Sequence, residues 1–150
     1  MDCYSCELIA RRDAGNAPLW DCIYRTPYWD VAHCYNTALR GWLVLIARRH
    51  IAAIDEMTGD EAIELGKMIR RVSVILKALT GCAKTYVIQF AEASGHPHVH
   101  FHIVPRMDDL PEDHRGPDIF KYLGVPVEEQ VSETTMNQLS AQVRQRLFEV

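Results

Sequence analysis

Apolar and polar positions alternate most sharply between His98 and Val104, where Val99, Phe101 and Ile103 interleave with His98, His100 and His102. Successive side chains of a strand point to opposite faces, so this spacing predicts a strand with one face for a core and a histidine face for a cleft. Pro105 has no amide hydrogen, which predicts that the strand stops near Val104. Upstream, Leu43-Val44-Leu45-Ile46 is a continuous apolar run within Trp42–Ala47, the pattern of a strand buried on both faces. Trp20–Arg25, Val31–Tyr35 and Thr85–Phe90 read as further strands. The short, small-residue connection from Ala91 to Pro97 predicts an antiparallel pairing of the last two.

A helical period replaces the strand pattern between these blocks. Ala62, Leu65, Ile69, Val72, Leu76 and Leu79 recur at spacings of three and four and form one apolar stripe. Thr58 followed by Glu61 is a capping-box pattern, and Gly81 is a natural stop. Cys3 to Asn16 reads as a short lead-in ending in a Gly15-Asn16 turn. Beyond Arg106 the chain becomes polar and proline-bearing. Ser132 to Phe148 then carries Met136, Leu139, Val143 and Leu147 on one side of a terminal helix. The pattern predicts an α+β protein, an antiparallel sheet covered by one long helix, with a core in residues 1–107 and an extension in residues 108–150.

Composition narrows the function more than the fold. The chain has 150 residues, enough for one domain with its own core. A net charge of -4 argues against a nucleic-acid partner but leaves room for a small anion held locally. No stretch is apolar for long enough to span a bilayer. The five cysteines are an odd number, and the start of the chain lacks the basic and apolar regions of a secretory signal, so reduced thiols in the cytoplasm are expected. Cys3 and Cys6 form the single C-x-x-C pair, by itself a weak signal for zinc or redox chemistry.

Three readings compete for the histidine strand. The imidazoles could be partly buried and merely hydrogen-bonded, although three on one face disfavour this. They could hold a catalytic metal with an open position for water. Or one could attack phosphorus while its neighbours support the developing charge. His98-Val99-His100-Phe101-His102-Ile103-Val104 resembles the signature of the histidine-triad (HIT) family of nucleotide hydrolases and transferases. The resemblance continues upstream through Gly41–Ile46, Arg48-Arg49-His50-Ile51 and the long helix, and fades after Met107.

The resemblance implies a HIT-like fold, with a five-stranded antiparallel sheet packed on one long helix, and a homodimer. Residues 1–107 would be the HIT core, with 108–150 packed on or near the active site. His100 falls on the family's nucleophile, which forms a covalent nucleotidyl intermediate at the α-phosphate, and His102 falls on a phosphate contact. Asn36 falls on a ribose contact and Gln89 on a residue near the phosphates. Ser94 and His96 stand in for residues that support the leaving group. Trp42 departs from relatives that carry a histidine after the glycine. Candidate substrates are purine nucleotide conjugates such as phosphoramidates and dinucleoside polyphosphates. Some bacterial relatives hold a structural zinc through positions that here are Cys3, Cys6, His50 and His98, so the first triad histidine would serve the metal as well as the catalytic strand. A nucleotide-binding module without turnover and a metal-dependent hydrolase are the alternatives.

Overall fold

The structure is a computed structural model and describes residues 2–149. Its centre is a five-stranded antiparallel sheet in the order β1-β2-β3-β5-β4. The strands are β1 (Tyr24–Arg25), β2 (Trp29–His33), β3 (Leu43–Ala47), β4 (Lys84–Ile88) and β5 (His100–Arg106). Three helices accompany them: α1 (Tyr4–Asp13), α2 (Gly59–Thr80) and α3 (Glu133–Phe148).

Every residue of β3 is buried, because both faces of the sheet are covered. Leu43, Leu45 and Ala47 join Phe101 and Ile103 of β5 and Leu65, Met68, Val72 and Leu76 of α2 in the larger core. The α3 residues Leu139, Val143 and Leu147 belong to that same core. Val44 and Ile46 point the other way, into a second cluster with Ile9 of α1, Val104, Leu110 and Ile119. The register sets Ile46 opposite His100 and Val44 opposite His102. Both histidines therefore share the second face, as the alternation predicts.

The helix α2 begins and ends where its sequence signals lie. Thr58 and Glu61 form a reciprocal capping box, and Gly81 closes the helix in the left-handed conformation at φ 71°. Its buried line is rotated from the expected stripe: Leu65, Met68, Val72, Ile75 and Leu76 are buried, while Ala62 is exposed. The indole Nε1–H of Trp29 donates to the Glu61 backbone carbonyl at 3.0 Å, and the Glu61 carboxylate is buried against Arg49 and the Thr58 amide, while Ala62 faces outward.

Several boundaries differ from the sequence expectation. The lead-in is a helix, α1, because non-local contacts hold it at both ends. Trp20 to Arg25 is not a single strand. Pro18 starts a 3-10 turn over Leu19–Asp21, and only Tyr24 and Arg25 pair with β2. β2 starts earlier than expected, since Asp30 can be buried in it by accepting from Arg25 Nε at 2.7 Å and from Arg12 at 3.3 Å. It ends at His33, and Tyr35 leaves the sheet. Gln89 and Phe90 lie beyond β4. β5 begins two residues later than expected, at His100, and runs through Pro105 to Arg106. Pairing with β3 stops at Leu43 opposite Ile103, so no β3 partner requires an amide hydrogen from Pro105.

Candidate active site and metal cluster

His100 and His102 open onto a cavity of about 390 Å³ between the second sheet face, α1 and the segment around Phe120. The lining is mainly apolar, with Leu8, Ala32, Ile46 and Leu123 among its walls. This is the usual make-up of a small-ligand site, apolar walls with a few convergent polar groups.

The hydrogen bonds fix how each histidine faces the cavity. His100 Nδ1 lies 2.6 Å from the His98 carbonyl oxygen. A carbonyl only accepts, so Nδ1 carries the proton and Nε2 keeps a free lone pair. His102 is the reverse. The Trp42 indole Nε1–H donates to His102 Nδ1 at 2.9 Å, which places the His102 proton on Nε2. Burial, reinforced by His100 and His96, holds the His102 pKa down to about 3. Burial also lowers that of His100, against the opposing bond to His98. Both rings are neutral at pH 7, one as an acceptor and one as a donor.

His96 joins them at the rim, its ring centroid 6.2 Å from that of His100. Its Nδ1 is 2.7 Å from Ser5 Oγ and its Nε2 is 3.1 Å from the Tyr35 hydroxyl. Hydroxyls donate or accept, so they satisfy either tautomer. The ring of Phe120 stacks edge-on to His102 at 5.4 Å and against Trp42 at 5.6 Å. Cys34 also lines the cavity, but burial raises its thiol pKa to about 11, which makes it a poor nucleophile.

Of the sequence-derived candidates, His100, His102, His96 and Asn36 come together around this cavity. Gln89 and Ser94 do not line it, and Ser94 is exposed in the 91–97 connection. His98 is turned away from it. Its Nε2–H donates to the Ala47 carbonyl at 2.6 Å, and its Nδ1 faces Cys3 Sγ and Cys6 Sγ, each at 3.6 Å, and His50 Nδ1 at 3.0 Å. Its contribution to the cavity is the backbone carbonyl that orients His100. The sequence reading missed Ser5, Arg12, Asp21, Tyr35 and Phe120 as lining residues. Ser5, Leu8 and Arg12 recur at helical spacing, a signal that a helical reading of the lead-in would have exposed.

Donor atoms of Cys3, Cys6, His50 and His98 all lie within 4.8 Å of one another. Cys3 caps α1 with its sulfur accepting from the Cys6 amide. The His98 bond to Ala47 fixes the tautomer that leaves Nδ1 able to ligate, the usual support for a metal-binding histidine. Two sulfurs and two imidazole nitrogens suit a tetrahedral zinc ion. With no cation, burial and the neighbouring Cys3 push the Cys6 thiol up to about 11. A bound divalent cation would reverse that by favouring thiolate.

At its other end α1 is held by ions. Arg12 NH2 meets Asp21 Oδ1 at 2.8 Å and Arg12 NH1 meets Asp30 Oδ2 at 3.3 Å, all three side chains nearly fully buried. The cluster and this network together press α1 against the cavity.

The HIT domain family model matches residues 20–109, more than half of the chain, and the protein belongs to that family. No curated protein matches it. Among solved structures it is similar to a histidine triad protein from Bradyrhizobium japonicum, with 22% identity over 85% of this chain and 90% of that one, at a TM-score of 0.70. It is similar to a histidine triad nucleotide-binding protein from Sulfolobus tokodaii, with 16% identity over 95% and 91%, at 0.69. A zinc-bound histidine triad family protein from Mycobacterium smegmatis shares 18% identity over 97% and 95%, at 0.63. At these identities the likeness establishes the HIT fold. Cys3, Cys6, Ser5, Arg12 and Phe120 lie outside the family-matched residues.

Proposed function

We propose that this protein is a nucleotide phosphohydrolase or nucleotidyltransferase that cleaves purine nucleotide conjugates at the α-phosphate. Phosphoramidates and dinucleoside polyphosphates are the candidate substrates. The observation that carries the reading is the pair of opposite tautomers on His100 and His102, one offering a lone pair to phosphorus and the other a proton to a phosphoryl oxygen. His100 Nε2 attacks phosphorus and the bond to the leaving group breaks, the electron pair departing with that group. The imidazole becomes cationic, its Nδ1–H still held by the His98 carbonyl. Water then attacks phosphorus and gives up a proton to solvent as the new P–O bond forms, while the P–N bond breaks and its electron pair returns to Nε2. His102 Nε2–H stabilises charge on the phosphoryl oxygens in both steps. His96, backed by Ser5 and Tyr35, supports the leaving group, and Asn36 holds the sugar.

Cys3, Cys6, His50 and His98 would hold a structural zinc. Bound, it would supply a closed cross-link between α1 and the residue whose carbonyl orients His100. Four protein donors leave no open position for water, which favours structure over catalysis. Residues 108–150 would shape the leaving-group side through Phe120. Exposed Val87 on the edge strand β4 and exposed Val74 on α2 support a homodimer through the β4 edge and α2, away from the Phe120 side. Five free cysteines support a reducing, cytoplasmic setting. No described helix is long and apolar enough to cross a membrane.

The test is a rapid quench during turnover of a nucleotide labelled at the α-phosphate. Acid-labile label on His100 is expected. His100→Asn should lose turnover by several orders of magnitude while nucleotide binding stays within about tenfold. No adduct together with substantial turnover in His100→Asn would overturn the nucleophilic reading.

A further inference from the structure

We infer that the far end of the cavity reads the edge of a guanine base, with Asp21 as the specificity-determining residue. This rests on the nucleotide reading above and narrows it to one base. The cavity side of α1 runs through Ser5, Leu8 and Arg12. Ser5 is bonded to His96 at the phosphate end. Arg12 is seven residues further on, about 10 Å along the helix axis. A nucleoside monophosphate extends a comparable distance from phosphorus to the far edge of its base. There Arg12 presents Asp21, which also lines the cavity.

Asp21 has an unused acceptor at that place. Its side chain is 5% exposed. Arg12 donates to Oδ1 at 2.8 Å and to the Asp21 backbone oxygen through Nε, and among the described residues nothing donates to Oδ2. Oδ2 is not sealed off like a fully buried atom but keeps solvent access on this cavity-lining residue, so a ligand donor can meet it there in place of water. The surrounding network is balanced, Arg12, Arg25 and Arg48 against Asp13, Asp21 and Asp30. Asp21 therefore offers an acceptor rather than excess charge, and the ligand group it suits is a neutral donor edge.

The bases differ on that edge. Guanine carries adjacent donors, N1–H and the 2-amino group. Hypoxanthine keeps N1–H alone. Adenine sets its 6-amino donor beside the acceptor N1, which a carboxylate repels. A site built to accept from a donor discriminates strongly against an analogue lacking it.

The test is equilibrium binding of GMP, IMP and AMP to the full-length protein as purified. GMP should bind about tenfold tighter than AMP, with IMP between them, as hydrogen bonds to a charged acceptor require. Asp21→Asn should bring the three within about twofold. Equal binding of all three by the wild type overturns this inference and leaves the nucleotide reading standing. Binding of none overturns the nucleotide reading itself. An intact tenfold preference in a folded Asp21→Asn variant overturns Asp21 as the reader. If that variant fails to fold, the wild-type series decides alone.

Discussion

Trp42 donates its indole proton to His102, and this single hydrogen bond decides which His102 nitrogen meets the cavity. Gly41 makes the approach available. At φ 92° it turns the chain into β3, and a Cβ there would come within 3.2 Å of Pro105 Cγ. The consequence is a donor at His102 Nε2, next to the acceptor at His100 Nε2.

Trp42→Phe keeps the aromatic packing against Phe120 but removes the donor. His102 is then free to take either tautomer. Turnover should fall by about tenfold to a hundredfold, the scale on which orienting partners of functional histidines act. Nitrogen-15 chemical shifts of His102 should move from a pure Nε2–H pattern to a mixture. Unchanged shifts would mean that the bond does not set the tautomer.

Acid should destabilise the fold through histidines buried in neutral form. Burial holds His33 at about 4 and His102 at about 3, against an ordinary histidine value of 6.5. Above pH 6.5 both are neutral, folded or unfolded, and contribute no pH dependence. Below it the unfolded chain binds protons that the folded chain refuses. Stability therefore falls as pH drops from 6.5 toward 4, by about 1.4 kcal/mol per pH unit for each group. Urea midpoints measured from pH 7 to 4.5 check this. His33→Gln should remove about one group's share of the slope.

Metal analysis of protein purified without chelator should find about one zinc per chain. Cys3→Ser with Cys6→Ser should lose the metal and lower the melting temperature. Because Ser5, Leu8 and Arg12 of α1 line the cavity, the same change should raise KM more than it lowers kcat per folded molecule. Metal-free wild type with unchanged melting would refute the site. A rate that tracked added zinc at constant folded fraction would favour metal catalysis.

The terminal helix should be needed for folding. Leu139, Val143 and Leu147 are 2% exposed or less and share the main core. Burying each contributes about 2 kcal/mol, and the three together are comparable to the whole stability of a small domain. A chain ending at Met107 should lose cooperative urea unfolding, whereas Phe148→Ala, on an exposed side chain, should change the midpoint little.

The sequence by itself determined the features that depend on local geometry. The two-residue repeat places His100 and His102 on one face opposite Phe101 and Ile103, whatever they pack against. The continuous run in β3 requires cover on both faces. Thr58, Glu61 and Gly81 set the ends of α2 through bonds within a few residues of each other. These follow from backbone periodicity and capping, which need no knowledge of distant contacts.

Only the tertiary structure decided where distant groups satisfy one another. α1 shows a weak apolar pattern because its face toward the cavity includes Ser5 and Arg12, and Arg12 is buried only because Asp21 and Asp30 neutralise it. Asp30 could enter β2 for the same reason. His98 left the strand because its ring is engaged by the Ala47 carbonyl on one side and faces Cys3, Cys6 and His50 on the other. Ser94 and Gln89, near the triad in sequence, fell outside the cavity, while Ser5 and Tyr35 reached it by bonding His96. Buried polar groups must find partners wherever the chain provides them, and that pairing is a property of the folded chain rather than of any local stretch.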